Sequence, residues 1–472
     1  MKINLLKGSV TYGAVTIFSR ITAVILIPIL TRLLTPDEYG VLSMVLTIIT
    51  LVNLVVTFEV SQAVTLFFTD QNRVDRNLYP STAIQFSLVM YFFLLVVIAI
   101  FGEIIYRVVV AKNFGAAIFI EGALLLAANG IFFLIQNQLR LEFKTRWYAI
   151  LTLGYVLLTS FGAIAGALYF NHPIEAVILG QTAGAAIIGI IGIVLLWERF
   201  RFRFNMSKLR EMLKYSLPLV PSGFLLLGGQ QAPKIILSIF GSLEDVGIYG
   251  LAYQIAGFSG LAVLGVQIAI TPSILANHQD IETPKKLGRL FEIFATVALM
   301  FCSFLSVFSR ELIMIFSVPS YAGAASLVPF LAFAISLISL YIFFPGKIIK
   351  GKSGAQLLAS TGSFLIAVIA GLVLIKLDGV RGAALSALLS AATFFLIWSF
   401  ISQKLYRLPV NWLKIVKAAV LSAAVCAVGI FCIPAGITFY SVALKCGLLL
   451  LFSGLIGWEY LNELRKHFLN KP

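Results

Sequence analysis

The chain has 472 residues, of which 60% are apolar, 13% aromatic and only 12% charged, and its mean hydropathy is +1.00. A soluble domain carries roughly 45–50% apolar and about 25% charged residues, so a water-soluble body of this size could not be covered; a soluble enzyme, a disordered scaffold and a fibrous protein are excluded. The 35 Lys+Arg against 20 Asp+Glu give a net charge of +15, but these residues fall in short loops between apolar runs, where they orient membrane spans, and no nucleic-acid partner is expected.

A spanning helix needs roughly 20 mostly apolar residues. Fourteen such runs follow one another, at about 9–33, 39–66, 78–101, 115–135, 149–170, 175–197, 215–240, 248–272, 290–308, 323–344, 357–375, 381–401, 416–435 and 440–461. The first follows MKINLLKG, is too long for a signal-peptide core and has no AxA-like cleavage site, so it reads as a retained span. With the N-terminus in the cytoplasm, the inner segments collect 26 basic residues and the outer segments six, while Arg20, Lys234 and Lys445 fall within spans. That asymmetry places both termini in the cytoplasm of a multi-pass protein of the inner membrane.

An internal repeat appears at one offset of 207 residues. Lys7–Ser9 falls on Lys214–Ser216, Asp37-Glu38-Tyr39-Gly40-Val41 on Glu244-Asp245-Val246-Gly247-Ile248, Arg140 on Lys347, and Asn171–Ala176 on Asp378–Ala383. Each repeat holds six spans, an even number, so the two halves point the same way and are related by an axis along the membrane normal. The expected fold is an all-α polytopic membrane protein. Its lobes are residues 1–207 and 208–414, and 415–472 carry two additional helices and a cytoplasmic tail.

A charge inside a span faces the protein interior or a watery cavity and is a functional candidate by default. Arg20 lies about eleven residues into the first span, roughly 16 Å at 1.5 Å per residue, near the midplane. It reads either as a cationic anchor for an anionic substrate group, since guanidinium forks onto phosphate, or as one side of an ion pair with Glu59 or Glu121. Lys234 lies in the seventh span with Pro218, Pro221, Pro233 and the run Gly228-Gly229-Gln230-Gln231. That composition reads as a broken, bending helix beside a cavity, although Lys234 is also within reach of the outer surface. Glu59 and Glu121 read as carriers of a coupling proton or as ion-pair partners. Glu292 reads as a solvated helix start, and Lys445 as a residue whose stem snorkels to the outer surface.

Arg140, Lys144 and Arg146 form a basic inner loop, as do Arg199, Arg201, Arg203, Lys208 and Arg210. Anionic inner-leaflet lipid is the plain partner for both; attraction of an anionic lipid-linked substrate is the functional alternative. Cys302, Cys426, Cys432 and Cys446 all lie in apolar runs without CxxC spacing, and His172, His278 and His467 are far apart, so neither a disulfide nor a metal site is expected. No DxD-type pair, GxSxG, HExxH or P-loop occurs, and no cofactor is implied. The absence of a sizeable extramembrane region makes a membrane glycosyltransferase or polymerase the weaker reading.

Leu30-Thr31-Arg32-Leu33-Leu34-Thr35-Pro36-Asp37-Glu38-Tyr39-Gly40 resembles the junction of the first two helices in Wzx-type polysaccharide flippases, within the multidrug/oligosaccharidyl-lipid/polysaccharide transporter superfamily. Gln138-Leu139-Arg140, Gly247-Ile248-Tyr249-Gly250-Leu251-Ala252 and Gly379-Val380-Arg381-Gly382-Ala383-Ala384 are similar to the family's pattern, and the resemblance covers nearly the whole chain. Two departures stand out: Pro233-Lys234 where the family commonly has an Asp-Arg type pair, and Glu59 in a stretch more often uncharged.

The resemblance implies a flippase, not an enzyme, that moves an oligosaccharide repeat unit on a polyprenyl pyrophosphate from the inner to the outer leaflet for cell-surface polysaccharide biosynthesis. Alternating access of a polar cavity between two lobes would carry the head group while the lipid tail stays in the bilayer. Arg20 and Lys234 would hold the pyrophosphate, an H+ or Na+ gradient would supply coupling, and membrane lipids and a polysaccharide polymerase would be the neighbours. On the same fold the rivals are a peptidoglycan-precursor flippase and a multidrug exporter.

Overall fold

The computed structural model describes residues 2–69, 75–105, 115–170, 172–200, 203–260, 280, 282–346, 354–434, 436 and 438–469; the side chain of Arg20 lies outside the described residues. In hydrocarbon every backbone N–H and C=O must be paired within the segment, which leaves the helix as the solution for an apolar run. The elements are α1 Lys2–Leu33, α2 Pro36–Thr57, α3 Val60–Thr69, α4 Leu78–Ile105, α5 Ala116–Leu141, α6 Thr145–Tyr169, α7 Pro173–Leu195, α8 Trp197–Phe200, α9 Met206–Ser216, α10 Leu219–Phe240 and α11 Leu243–Ala256. They continue with α12 Thr283–Val307, α13 Ser309–Phe316, α14 Val328–Leu340, α15 Gly354–Leu405, α16 Trp412–Phe431 and α17 Phe439–Leu469, with short 3₁₀ turns at Gly257–Gly260, Pro319–Ser326 and Tyr341–Phe343.

Each of the fourteen expected spans coincides with helix over at least part of its length, and half of the eighth lies outside the described residues. Among the described residues nine helices are long and apolar enough to cross a membrane, ten when the bent pair Pro319–Ser326 and Val328–Phe343 is taken as one. The long α15 holds two expected spans, bent where Asp378 and Gly379 leave helical geometry; Gly379 takes φ +53°.

Packing divides the chain into two compact units, Met1–Gly247 and Ile248–Pro472. The first therefore includes α9 and α10, which the repeat assigns to its second half. In this unit Thr35 caps α2: its backbone N–H donates to Glu38 Oε2 at 2.8 Å and its hydroxyl accepts from the Glu38 N–H at 3.3 Å. With Pro36 in the first turn and Asp37 and Glu38 facing the positive helix end, this is a strong start signal. The repeat-equivalent Ser242 and Asp245 cap α11 in the same reciprocal way, at 2.9 and 3.1 Å.

In the seventh span the helix is interrupted at Leu217 and Pro218, between α9 and α10, while Pro221 and Pro233 leave α10 unbroken. Pro218 precedes α10, Pro221 sits in its first turn where an N–H has no intrahelical acceptor, and the helix continues through Pro233 to Phe240. The second span is also broken, where Phe58 and Glu59 both adopt left-handed backbone (φ 47° and 53°) between α2 and α3.

The second unit packs aromatic side chains between α12, α15 and α16. Phe291 stands 4.8 Å from Phe344 and 5.8 Å from Trp412, centroid to centroid. The Trp398 indole N–H donates to the carbonyls of Tyr341 and Phe344, both at 3.1 Å, and so caps the end of α14.

Candidate substrate cleft

A cleft of about 620 Å³ opens within the first unit. Thr50, Asn53 and Thr57 reach it from α2, Asn129, Phe133 and Gln136 from α5, and Tyr148, Thr152 and Tyr155 from α6. On each helix the spacing of three and four residues puts these side chains on one face. Glu59 and Ser61 enter where the second span breaks, and Ser19 and Leu227 complete the wall from α1 and α10.

The lining combines uncharged hydrogen-bonding groups and aromatic rings with the aliphatic side chains of Ile49, Leu54, Val156 and Leu227, and Glu59 is the one charged side chain among the described lining residues. The Asn53 carbonyl oxygen accepts from the buried Tyr91 hydroxyl at 2.5 Å, and that of Asn129 from Tyr155 at 2.7 Å. Gln136 donates through Nε2 to the Thr152 hydroxyl at 3.1 Å. Phe132 and Tyr155 stack with centroids 4.0 Å apart and planes within 4°. Carboxamides and hydroxyls exchange hydrogen bonds with sugar hydroxyls, and ring faces take sugar C–H groups, so this wall is suited to a carbohydrate.

The charged candidates scatter. Glu59 is in the cleft, where its Oε2 accepts from Gln62 at 2.9 Å. Ser19 lines the cleft next to Arg20 in sequence, while Arg20's side chain lies outside the described residues. Lys234 is not among the cleft lining: it is 7% exposed and donates to the Thr47 hydroxyl of α2 at 3.1 Å. Its position on the inward face of an unbroken helix, rather than at a bend, seals it in packing. Glu121 also lies off the described lining, on the second turn of α5.

Of the basic loop, Arg140 donates to Asn137 at 2.7 Å and Arg146 is exposed. Lys144 is engaged by Glu142 at 2.8 Å, and the same carboxylate takes Arg199 at 2.6 Å and Gln138 at 2.6 Å. Burial of Glu142 opposes its charge, but the hydrogen bonds from Lys144, Gln138 and Arg199 outweigh it and hold the carboxyl below its ordinary range. Lys144 of one basic cluster and Arg199 of the other are thus tied to each other through Glu142.

Two further expectations are corrected. Lys445 does not snorkel: it is 1% exposed and pairs with Glu311 of α13 at 2.7 Å. Glu292 is not merely solvated; its Oε1 accepts the backbone N–H of Asn411 at 2.6 Å, just before α16. A search for in-span charge passes over Asn53, Asn129, Gln136, Thr152 and Tyr155. Their available signal is the seven-residue spacing of Asn129 and Gln136, which puts two carboxamides on one face of α5, since polar groups in hydrocarbon demand partners.

The fold is shared with solved membrane transporters. A structure described as "Lipid II flippase MurJ, inward closed conformation" is 12% identical, with a TM-score of 0.76 over 96% of this chain and 99% of that one. An inward-facing multidrug resistance MATE family transporter of the MOP superfamily is 15% identical, with a TM-score of 0.64 over 82% of this chain and 95% of that one. A MOP superfamily transporter from Pyrococcus furiosus, described as having a binding pocket of reverse polarity, is 13% identical with a TM-score of 0.53 over 85% and 95%. No curated protein sequence matches the chain. The family model described as "Polysaccharide biosynthesis protein" matches residues 5–278, more than half of a multi-pass helical chain with a transporter fold, and the chain belongs to that family.

Proposed function

We propose that this protein is a flippase that carries an oligosaccharide on polyprenyl pyrophosphate from the inner to the outer leaflet of the cytoplasmic membrane, with both termini in the cytoplasm. The observation that carries this reading is the cleft itself: carboxamides, hydroxyls and aromatic rings set among aliphatic side chains inside a membrane-spanning unit. Its volume of about 620 Å³ falls within the range of roughly 300–1,000 Å³ usual for small-molecule pockets. Such a wall offers sugar hydroxyls the partners that hydrocarbon denies them, and the described lining holds a single carboxylate, Glu59.

Arg20, one residue from the cleft-lining Ser19, is the proposed pyrophosphate anchor, and Glu59 is the proposed point of coupling to an H+ or Na+ gradient. Lys234, packed on Thr47, would reach substrate only if α2 and α10 part. Lipid II as cargo is the second reading, favoured by the fold likeness to the MurJ structure.

The test is leaflet transfer in proteoliposomes. Lipid-linked oligosaccharide and lipid II are supplied separately, with and without an imposed gradient, and scored by exposure of the sugar to an impermeant reagent. Transfer of the oligosaccharide lipid, reduced at least tenfold in Arg20→Ala at equal folded protein, supports the proposal. Transfer of lipid II alone establishes the second reading, and transfer of neither overturns both.

A further inference from the structure

Two cleft carboxamides are held by the same device from different helices. Asn53 of α2 is gripped through its carbonyl oxygen by Tyr91 of α4 at 2.5 Å, and Asn129 of α5 by Tyr155 of α6 at 2.7 Å. A carboxamide is ambiguous at its rim, because acceptor oxygen and donor NH₂ are nearly the same size and exchange places on a half-turn. A phenol hydroxyl removes the ambiguity. Tyr91 is 2% exposed, so its proton needs an acceptor within the protein, and the amide oxygen is the acceptor it has. Turning the amide over would let its NH₂ donate to the phenol oxygen, but would leave the buried phenol proton with no acceptor. At Asn53 the Nδ2 hydrogens are therefore left for whatever occupies the cleft, and at Asn129, whose oxygen likewise takes the Tyr155 proton, they stand in the same orientation.

We infer that Tyr91 and Tyr155 are positioning residues that fix Asn53 and Asn129 as paired N–H donors, and that the cleft thereby selects a sugar bearing an acetamido group, whose carbonyl oxygen accepts from them. A uronate carboxylate is also an acceptor. Glu59, however, is the one charged side chain among the described lining residues, and a second carboxylate in the same partly desolvated cleft is repelled. The neutral acceptor is favoured on that ground. The Phe132–Tyr155 stack, at 4.0 Å, holds the Tyr155 ring rigid, so its hydroxyl stays aimed at Asn129. The inference rests on the sugar-carrier reading of the cleft and names the substituent that the cleft reads.

The experiment measures binding of three probes to purified full-length protein: polyprenyl pyrophosphate bearing N-acetylglucosamine, glucose or glucuronate. The wild type is expected to prefer the acetamido probe about tenfold over glucose, the scale of one or two net hydrogen bonds, and to bind glucuronate weakest. Tyr155→Phe and Tyr91→Phe each free an amide to turn, and are expected to cut the acetamido-to-glucose ratio about threefold. Asn129→Asp, which keeps the Tyr155 contact but replaces the donor by an acceptor, is expected to erase the ratio.

Because each ratio is taken within one variant, a change in folded yield does not move it. Equal binding of all three probes, glucuronate preferred over N-acetylglucosamine, or ratios unchanged in Asn129→Asp and both tyrosine variants would overturn the assignment. Acetamido preference without leaflet transfer would sustain the specificity and refute the flippase. Transfer without preference would do the reverse.

Discussion

Gly40 and Gly247 stand 207 residues apart and pack backbone against backbone. A Cβ on Gly40 would lie 2.1 Å from the Leu243 carbonyl oxygen, and one on Gly247 would lie 1.9 Å from that of Pro36. Pro36 and Leu243 are themselves separated by 207, as are the two capping residues Thr35 and Ser242. The contact is thus reciprocal. Two equivalent segments, each capped in the same manner, cross at their equivalent glycines, and the sequence repeat becomes a local two-fold relation.

Since the opposing atoms are main-chain carbonyls inside capped helices, neither side can yield by a rotamer change. Gly40→Ala and Gly247→Ala are each expected to cost about 1–3 kcal/mol, the range for overpacking. The double variant should cost less than their sum because both disturb one contact. Thermal unfolding of detergent-solubilised protein, followed by loss of the monodisperse species, checks both statements.

Glu311 and Lys445 carry a different kind of debt. Their side chains are 5% and 2% exposed, their atoms meet at 2.7 Å, and Glu311 Oε1 also accepts the Gly436 N–H at 3.2 Å. Removing one partner leaves an uncompensated buried charge, so Glu311→Ala or Lys445→Ala should destabilise by about 3–5 kcal/mol. Glu311→Leu combined with Lys445→Met should recover most of that loss, because neither ion then has to be desolvated. A double variant as unstable as the singles would show that shape, not charge, holds α13 to α17.

Phe143 takes left-handed backbone at φ 54° between α5 and α6, and its side chain is 62% exposed. A side chain in that region costs roughly 1–2 kcal/mol that glycine does not incur. Little packing is lost at an exposed position, so Phe143→Gly is expected to stabilise the protein by about 1 kcal/mol. Lower thermal stability in this variant would mean that the ring contributes more than its strain removes.

Glu142 supplies a pH-dependent term. Its folded-state carboxyl titrates below its ordinary range because Lys144, Gln138 and Arg199 stabilise the charged form. The unfolded chain therefore binds the proton more readily, and the stabilisation is fully present above the ordinary carboxylate value. It is lost as pH falls through the lowered one. Acidification should weaken the α5–α6 junction first, seen as faster amide exchange at residues 138–145. Glu142→Gln should abolish that dependence while lowering stability at neutral pH.

The amino-acid sequence by itself determined whatever depends on neighbours along the chain. Apolar runs must become helices because hydrocarbon offers the backbone no other partner, and Thr35 with Glu38 must start one because both lie in the same turn. The equal spacing of Gly40 and Gly247 was legible as a repeat, though not as a contact.

Tertiary structure decided the fate of each polar side chain, because desolvation is relieved only by a partner that another helix brings. Lys445 finds Glu311 134 residues away, Asn53 finds Tyr91 38 away, and Lys234 finds Thr47 187 away. Proline count located no break in α10, since a proline in the first turn breaks no bond and packing held the helix through the other. The second span broke at Phe58 and Glu59, where no proline or glycine marks it. The energy of those two residues is set by what surrounds them, not by what precedes them.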